Sequence, residues 1–213
     1  MSRAVPFIAV VAMLIIFCAF AGCTGTQNSG VTPVPTNTGA TPAETAIPAT
    51  VNETVTPLQY QDAEFLLLYQ ASLPKVRELI RQMDIKMVKV QTKDVALTSW
   101  TGLQQAAQEL SNTTGEDSAK LSGYQYFASP TNGKTRDSYV SYLDQIHSIA
   151  GDIGVGADAA ANKNYDQALK SFKSAQSGLN LVTDVPNQNH QALIEELKIH
   201  LRTAINVMTD NIK

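Results

Sequence analysis

Beyond residue 23 the chain contains no cysteine; its two, Cys18 and Cys23, both lie near the start. Disulfides and thiolate metal sites are therefore excluded for everything downstream, and covalent haem attachment with them. Charge is scarce as well: charged residues make up 16% of the chain, against about 25% in ordinary soluble proteins. The formal net charge is -3, so no basic excess marks a nucleic-acid binder. Histidine is limited to His147, His190 and His200, and no Glu-x-x-His motif occurs. A di-iron bundle needs two such motifs on facing helices. No nucleophile elbow or other local catalytic signature is present. These absences point away from an enzyme and away from any cofactor. Stability must come from apolar packing, and a domain of about 150 residues can bury enough surface for that.

Apolar residues are dense at the start. Met1-Ser2-Arg3 supplies a positive head, and nothing from Ala4 to Gly22 is charged. This is the tripartite pattern of an export signal over residues 1–22. The run ends in Phe20-Ala21-Gly22-Cys23, followed by Thr24-Gly25-Thr26. That stretch resembles the lipobox of membrane lipoproteins. The resemblance implies a diacyl or dialkyl glycerol on Cys23 and cleavage just before it. Two lipid chains hold a protein stably where one holds it marginally. The alternative is an uncleaved anchor helix, since a run of nearly 20 apolar residues falls in the range of about 17–25 that spans a bilayer. Pro6, at the start of the run, would not break such a helix. Either tether leaves the positive end in the cytoplasm and the rest of the chain on the extracytoplasmic face of the membrane.

From residue 23 to residue 57 the composition changes to Thr, Pro, Ala, Asn, Gly and Val, with Glu44 and Glu53 the only charges. No apolar periodicity is present to offset the entropy of folding, so the segment is expected to be a disordered stalk. Proline keeps such segments extended, and Thr/Pro-rich stalks are commonly glycosylated. Asn52-Glu53-Thr54 and Asn112-Thr113-Thr114 match the N-glycosylation acceptor pattern, making Asn52 and Asn112 candidate sites. Lipobox, stalk and cysteine-free exported domain together are similar to archaeal surface lipoproteins, particularly those of methanogens. That resemblance covers the first quarter of the chain and implies no activity for the rest.

Residues 58–213 read as an all-α domain. Leu66, Tyr69, Leu73, Val76, Ile80, Met83, Met87 and Val90 recur at spacings of three and four, a single apolar seam. Pro74 interrupts it and predicts a kink, or a fresh start capped by Ser72. Leu97, Trp100, Leu103, Ala107 and Leu110 predict a second helix stopping near Gly115, with a short continuation through Leu121, Tyr124 and Phe127. Ser129-Pro130-Thr131-Asn132-Gly133 reads as a loop. A third helix is expected from Thr135 or Arg136 on the seam Tyr139, Leu143, Ile146, Ala150, Ile153, Ala157 and Ala160. After a turn at Asn162-Lys163-Asn164, Ala168, Phe172, Ala175 and Leu179 carry a fourth, which Pro186 separates from a last helix through Ile194, Leu197, Leu201 and Met208. Short connections favour antiparallel neighbours. The expected fold is an up-and-down antiparallel bundle of four long helices, one kinked or accompanied by a short extra helix, after the disordered stalk.

Each candidate for chemistry has an ordinary reading beside it. Ala159 to Ala168, with Phe172 and Ala175, looks like part of a tetratricopeptide repeat, but one copy does not make a solenoid and a helical hairpin suffices. Gly154-Val155-Gly156-Ala157-Asp158-Ala159 has the letters of a dinucleotide fingerprint without the preceding strand the mechanism needs. Gly151, Gly154 and Gly156 mark a close helix contact or a bend instead. Glu196 with His200, and Asp144 with His147, could each share a helix face, with surface or capping roles the simpler reading. The first helix is basic and the third acidic, as expected of solvated faces on helices lying side by side.

Two functional readings follow. One is a structural or interaction module of the cell envelope, membrane-bound through its N-terminus, with an unknown protein or envelope partner. The other is a ligand-binding bundle, similar in architecture to the four-helix sensory domains of chemoreceptors, in which Trp100, Tyr124 and Tyr139 would line an interhelical groove and a partner would carry the signal.

Overall fold

The computed structural model describes residues 59–92 and 94–212. The export segment 1–22, Cys23, and the stalk 23–57 with Asn52 lie outside the described residues. Five α-helices and no strand occur among those described: α1 Asp62–Val88, α2 Leu97–Ser122, α3 Pro130–Ala161, α4 Tyr165–Asn180 and α5 Gln188–Ile212. None is long and apolar enough to cross a membrane. Four long helices with one short companion, α4, is the expected all-α bundle.

Each helix packs on its neighbour in sequence, and α5 returns to pack on α1. The α2–α3 contact is the most extensive. Residue pairs fix directions. Gln104 meets Asp158 and Ser118 meets Asp144, so α2 and α3 are antiparallel. Ser72 meets Asp117, and Lys86 passes over Gly102, so α1 and α2 are antiparallel as well. An odd number of alternating helices makes the closing pair parallel: Leu73 lies beside His190, and Asp84 beside His200.

Glycine lets α3 approach its neighbours. A Cβ on Gly156 would stand 2.6 Å from the Phe172 ring, and one on Gly178 would stand 2.9 Å from Ile149. Gly154 faces Ala107 across the α2–α3 contact. The glycines of α3 are thus close-contact residues, as their setting in a helical run implies. The apolar seam of α3 is buried along its whole length, from Tyr139 to Ala160.

Four local expectations are corrected. α1 runs unbroken through Pro74, and Ser72 is no cap; its hydroxyl is buried in the core. The seam of α1 before Pro74 is set by Phe65 and Ser72, while Leu66, Tyr69 and Leu73 pack on its margin. α2 continues past Gly115 to Ser122, because Gly115 is the seat of the His147 ring, 3.1 Å from where a Cβ would be. α3 begins at Pro130, five residues before Thr135. Proline is favoured in the first helical turn, where its missing N–H costs nothing. Asp62 of α1 completes that start: its carboxylate accepts the amides of Ala128 and Ser129 and the Asn132 side chain.

Gly156→Ala tests the close contact. The added methyl group must displace the fully buried Phe172, which stacks on Trp100 at 6.1 Å. Overpacking outweighs the gain in helix propensity, so a net loss of about 1–2 kcal/mol is expected in urea unfolding. Phe172→Leu added to that variant should recover part of the loss.

Candidate functional site

α3 has 32 residues and α4 has 16, so α4 accompanies only the second half of α3. Residues 181–187 then cross to α5, which begins beside Leu73 rather than at the foot of α1. Gln145 fastens this crossing: its side-chain carbonyl accepts the Thr183 amide at 3.0 Å, and its amide group donates to Ser141. Below the crossing, α1 and α3 flank an open groove of about 430 Å³.

One wall of the groove is a face of α3. Thr131, Lys134, Thr135 and Ser138 line it, at the three-and-four spacing that stacks side chains on one helical face. Tyr69 of α1 and Tyr139 of α3 form the floor, their rings edge to face at 4.9 Å. Asp184 and Pro186 form the upper rim. Asp184 is held at φ 56°, in the left-handed region that Asp tolerates better than most residues. Its carboxylate accepts the Thr183 hydroxyl at 3.2 Å and the Ser141 hydroxyl at 3.5 Å.

The floor is braced from behind. Ser72 Oγ donates to Asp117 Oδ2 at 2.7 Å and lies 2.9 Å from Tyr139 Oη, which is then the donor. All three residues are almost completely buried. Burial pushes the Tyr139 phenol well above its usual pKa. Tyr142 stacks on Tyr139 at 6.0 Å, and burial raises its pKa too. Its hydroxyl has no hydrogen-bond partner among the described residues. Both phenols are therefore neutral in the working range, and Tyr139 is an oriented hydroxyl rather than an acid–base group.

The histidines hold helices together. His147 Nδ1 donates to the Ser111 carbonyl at 2.8 Å, while the Ser111 hydroxyl reaches back to the His147 carbonyl. Its neighbour Asp144 accepts from Ser118 instead. His200 Nδ1 lies 2.8 Å from Asp84 Oδ1 on α1, and not on Glu196 of its own helix. His190 is buried against the Tyr142 ring with Nδ1 on Asn187 Oδ1. Among the described residues no three His, Cys, Asp or Glu side chains converge as metal ligands.

Other candidates are separated. Trp100 lines a smaller pocket of about 160 Å³ with Val90, Tyr165 and Met208, whereas Tyr139 floors the α1–α3 groove. Tyr124 lines neither and packs edge-on against Phe65. The single groove expected from Trp100, Tyr124 and Tyr139 does not form: Trp100 packs on Phe172 away from the other two, and Tyr124 reaches the Tyr69–Tyr139 pair only through Phe65. The basic α1 and acidic α3 meet only where Asp62 reaches Asn132 and where Tyr69 and Ser72 reach Tyr139; along the rest of its length α1 packs on α2 and α5. Arg81 instead pairs with Glu78 on its own helix, and that hydrogen bond, with one from Gln82, holds the Glu78 carboxyl at about 2. Asn112 is exposed on α2 and accepts from Gln108, while Thr114 of the same acceptor pattern is fully buried, its hydroxyl on the Leu110 carbonyl.

Burial holds the His190 imidazole below its usual pKa of 6.5, the Leu73 carbonyl opposing and Arg77 adding to the depression. The unfolded chain then binds the proton more readily than the folded one. His190 contributes full stability above pH 6.5, and that contribution falls as pH drops from 6.5 toward the folded value. The depressed carboxylates Asp62, Glu78 and Glu195 start from 3.8 or 4.5, so their losses come at lower pH. Urea midpoints measured from about pH 7.5 to about pH 5 should decline, and the decline should be shallower in His190→Gln.

The chain matches no family model, no curated protein and no solved structure.

Proposed function

We propose that this chain is a membrane-tethered recognition module of the cell envelope, in which a stalk carries the helical bundle outside the membrane and the α1–α3 groove meets an extracytoplasmic partner. The tether is a lipid on Cys23, with an uncleaved N-terminal helix as the alternative. The export pattern of residues 1–22, the lipobox-like Phe20-Ala21-Gly22-Cys23 and the Thr/Pro-rich composition up to residue 57 support this topology.

The observation that carries the recognition role is the groove itself. Its volume falls within the range of about 300–1,000 Å³ that ligand sites occupy. Its wall carries polar groups free to turn toward a ligand, and its floor is a buried, hydrogen-bonded tyrosine. The large exposed apolar side chains are spread over α1, α2, α3, α4 and α5. Recognition through polar groups is therefore favoured over docking on one broad apolar face. This observation favours the ligand-binding form of the module over a purely structural one. No catalytic step is proposed.

A photo-crosslinking residue placed at Ser138, on the groove wall, tests the reading in intact cells. Ile199, exposed on α5, is the control position. Adducts with an envelope component at Ser138 and not at Ile199 are expected, and equal labelling at both would contradict the reading. Mass spectra of the same membrane-extracted chain read the tether: a lipid-bearing Cys23 terminus is expected, and an intact Met1 would replace it with the anchor helix.

A further inference from the structure

The chemistry of the groove is specific enough to name a class of ligand. Three hydroxyls, those of Thr131, Thr135 and Ser138, project from one face of α3 at the spacing of successive turns. Hydroxyls both donate and accept, so a row of them suits a ligand whose own polar groups do both. Charge is balanced: Lys134 on the wall is offset by Asp184 on the rim. A phosphate, sulfate or polyanion would meet one cation and one carboxylate together, which removes its electrostatic advantage. The floor is aromatic, with Tyr69 partly exposed over the buried Tyr139. Pro186 adds an apolar surface above it. A ligand seated here presents hydroxyls to the side and C–H faces below and above.

From these features we infer that the α1–α3 groove binds a short neutral saccharide, seated on Tyr69 and hydrogen-bonded to the hydroxyl row of α3 and the carboxylate of Asp184. Three structural features prepare the site. The Ser72–Asp117 brace fixes the floor, because Tyr139 cannot turn without leaving its buried hydroxyl unpartnered. Gln145 fixes the crossing that carries the rim. Asp184, in the left-handed conformation, is held there by Thr183 and Ser141. Oδ2 of Asp184 takes the Thr183 and Ser141 hydroxyls, which leaves Oδ1 to accept from a sugar hydroxyl, and Asp184 is the one acidic side chain lining the groove. Pre-organised groups of this kind lower the entropy lost on binding.

This inference rests on the recognition-module reading, so its test keeps the two apart. The full chain, in detergent, is titrated with maltose and with N,N′-diacetylchitobiose at millimolar concentration, and NMR shifts of the threonine and tyrosine signals are followed. Saturable shifts at Thr131, Thr135 and Tyr69 are expected with at least one sugar. Asp184→Asn keeps the left-handed backbone preference, and Thr135→Val keeps the shape; each should weaken binding by about tenfold or more with the thermal midpoint unchanged. Ile199→Ala, on the exposed face of α5 and outside the groove, should leave the affinity unchanged. No saturable shift with either sugar would overturn the saccharide assignment, and so would binding that neither Asp184→Asn nor Thr135→Val weakens. If the sugars fail while Ser138 still crosslinks an envelope component, the recognition role stands and the ligand class does not. If both fail, the recognition role falls too.

Discussion

Ser72 Oγ, a single buried hydroxyl, ties three helices to one register. It donates to Asp117 on α2 and accepts from Tyr139 on α3, and all three side chains are buried. Apolar packing supplies most of the free energy, but it is forgiving: a seam repeating every three or four residues allows neighbouring helices to slip by a turn and still bury carbon. A buried carboxylate and a buried phenol are not forgiving, because an unpartnered polar group in the core costs about 1–3 kcal/mol. One alignment of α1, α2 and α3 satisfies all three groups. It places Tyr139 at the floor of the groove, and Asp62 of the same α1 meets the start of α3.

Glycine does the complementary work on the other side of α3. Gly156 and Gly178 let α3 and α4 approach until Phe172 and Ile149 lie directly on backbone. Close approach makes the short α4 a tight companion for the second half of α3, and it leaves the first half uncovered. The groove is thus a consequence of unequal helix lengths. The chain crosses to α5 before α4 has covered all of α3, and the crossing residues roof the space beneath.

The sequence made the helical class, the seams of α3, α4 and α5, and the turn at Asn162 to Asn164 legible, because apolar spacing reports burial directly. It misled where a local signal was overruled by a tertiary contact. Gly115 reads as a stop, but it is an interior residue that seats His147. Pro130 and Gly133 read as loop residues, yet Asp62, distant in sequence, satisfies the amides that let α3 start there. That reading also hides the groove, since a loop at Thr131 breaks its helical spacing with Thr135 and Ser138. Pro74 does not break α1, whose buried positions continue on both sides of it. Asp117 carries no sequence signal and Ser72 only the misleading one of a cap, as serine and aspartate are ordinary on helix surfaces and only burial makes them informative.

The register claim is open to a double-mutant cycle on Ser72→Ala and Tyr139→Phe, measured by urea unfolding. Ser72→Ala strands the Tyr139 hydroxyl and removes a bond from Asp117, so a loss of about 1–3 kcal/mol is expected. In the double variant the stranded hydroxyl is gone, so the two effects should fail to add by about 0.5 kcal/mol or more. A near-neutral Ser72→Ala, or two effects that add within about 0.3 kcal/mol, would show that apolar packing alone sets the alignment and would contradict the account.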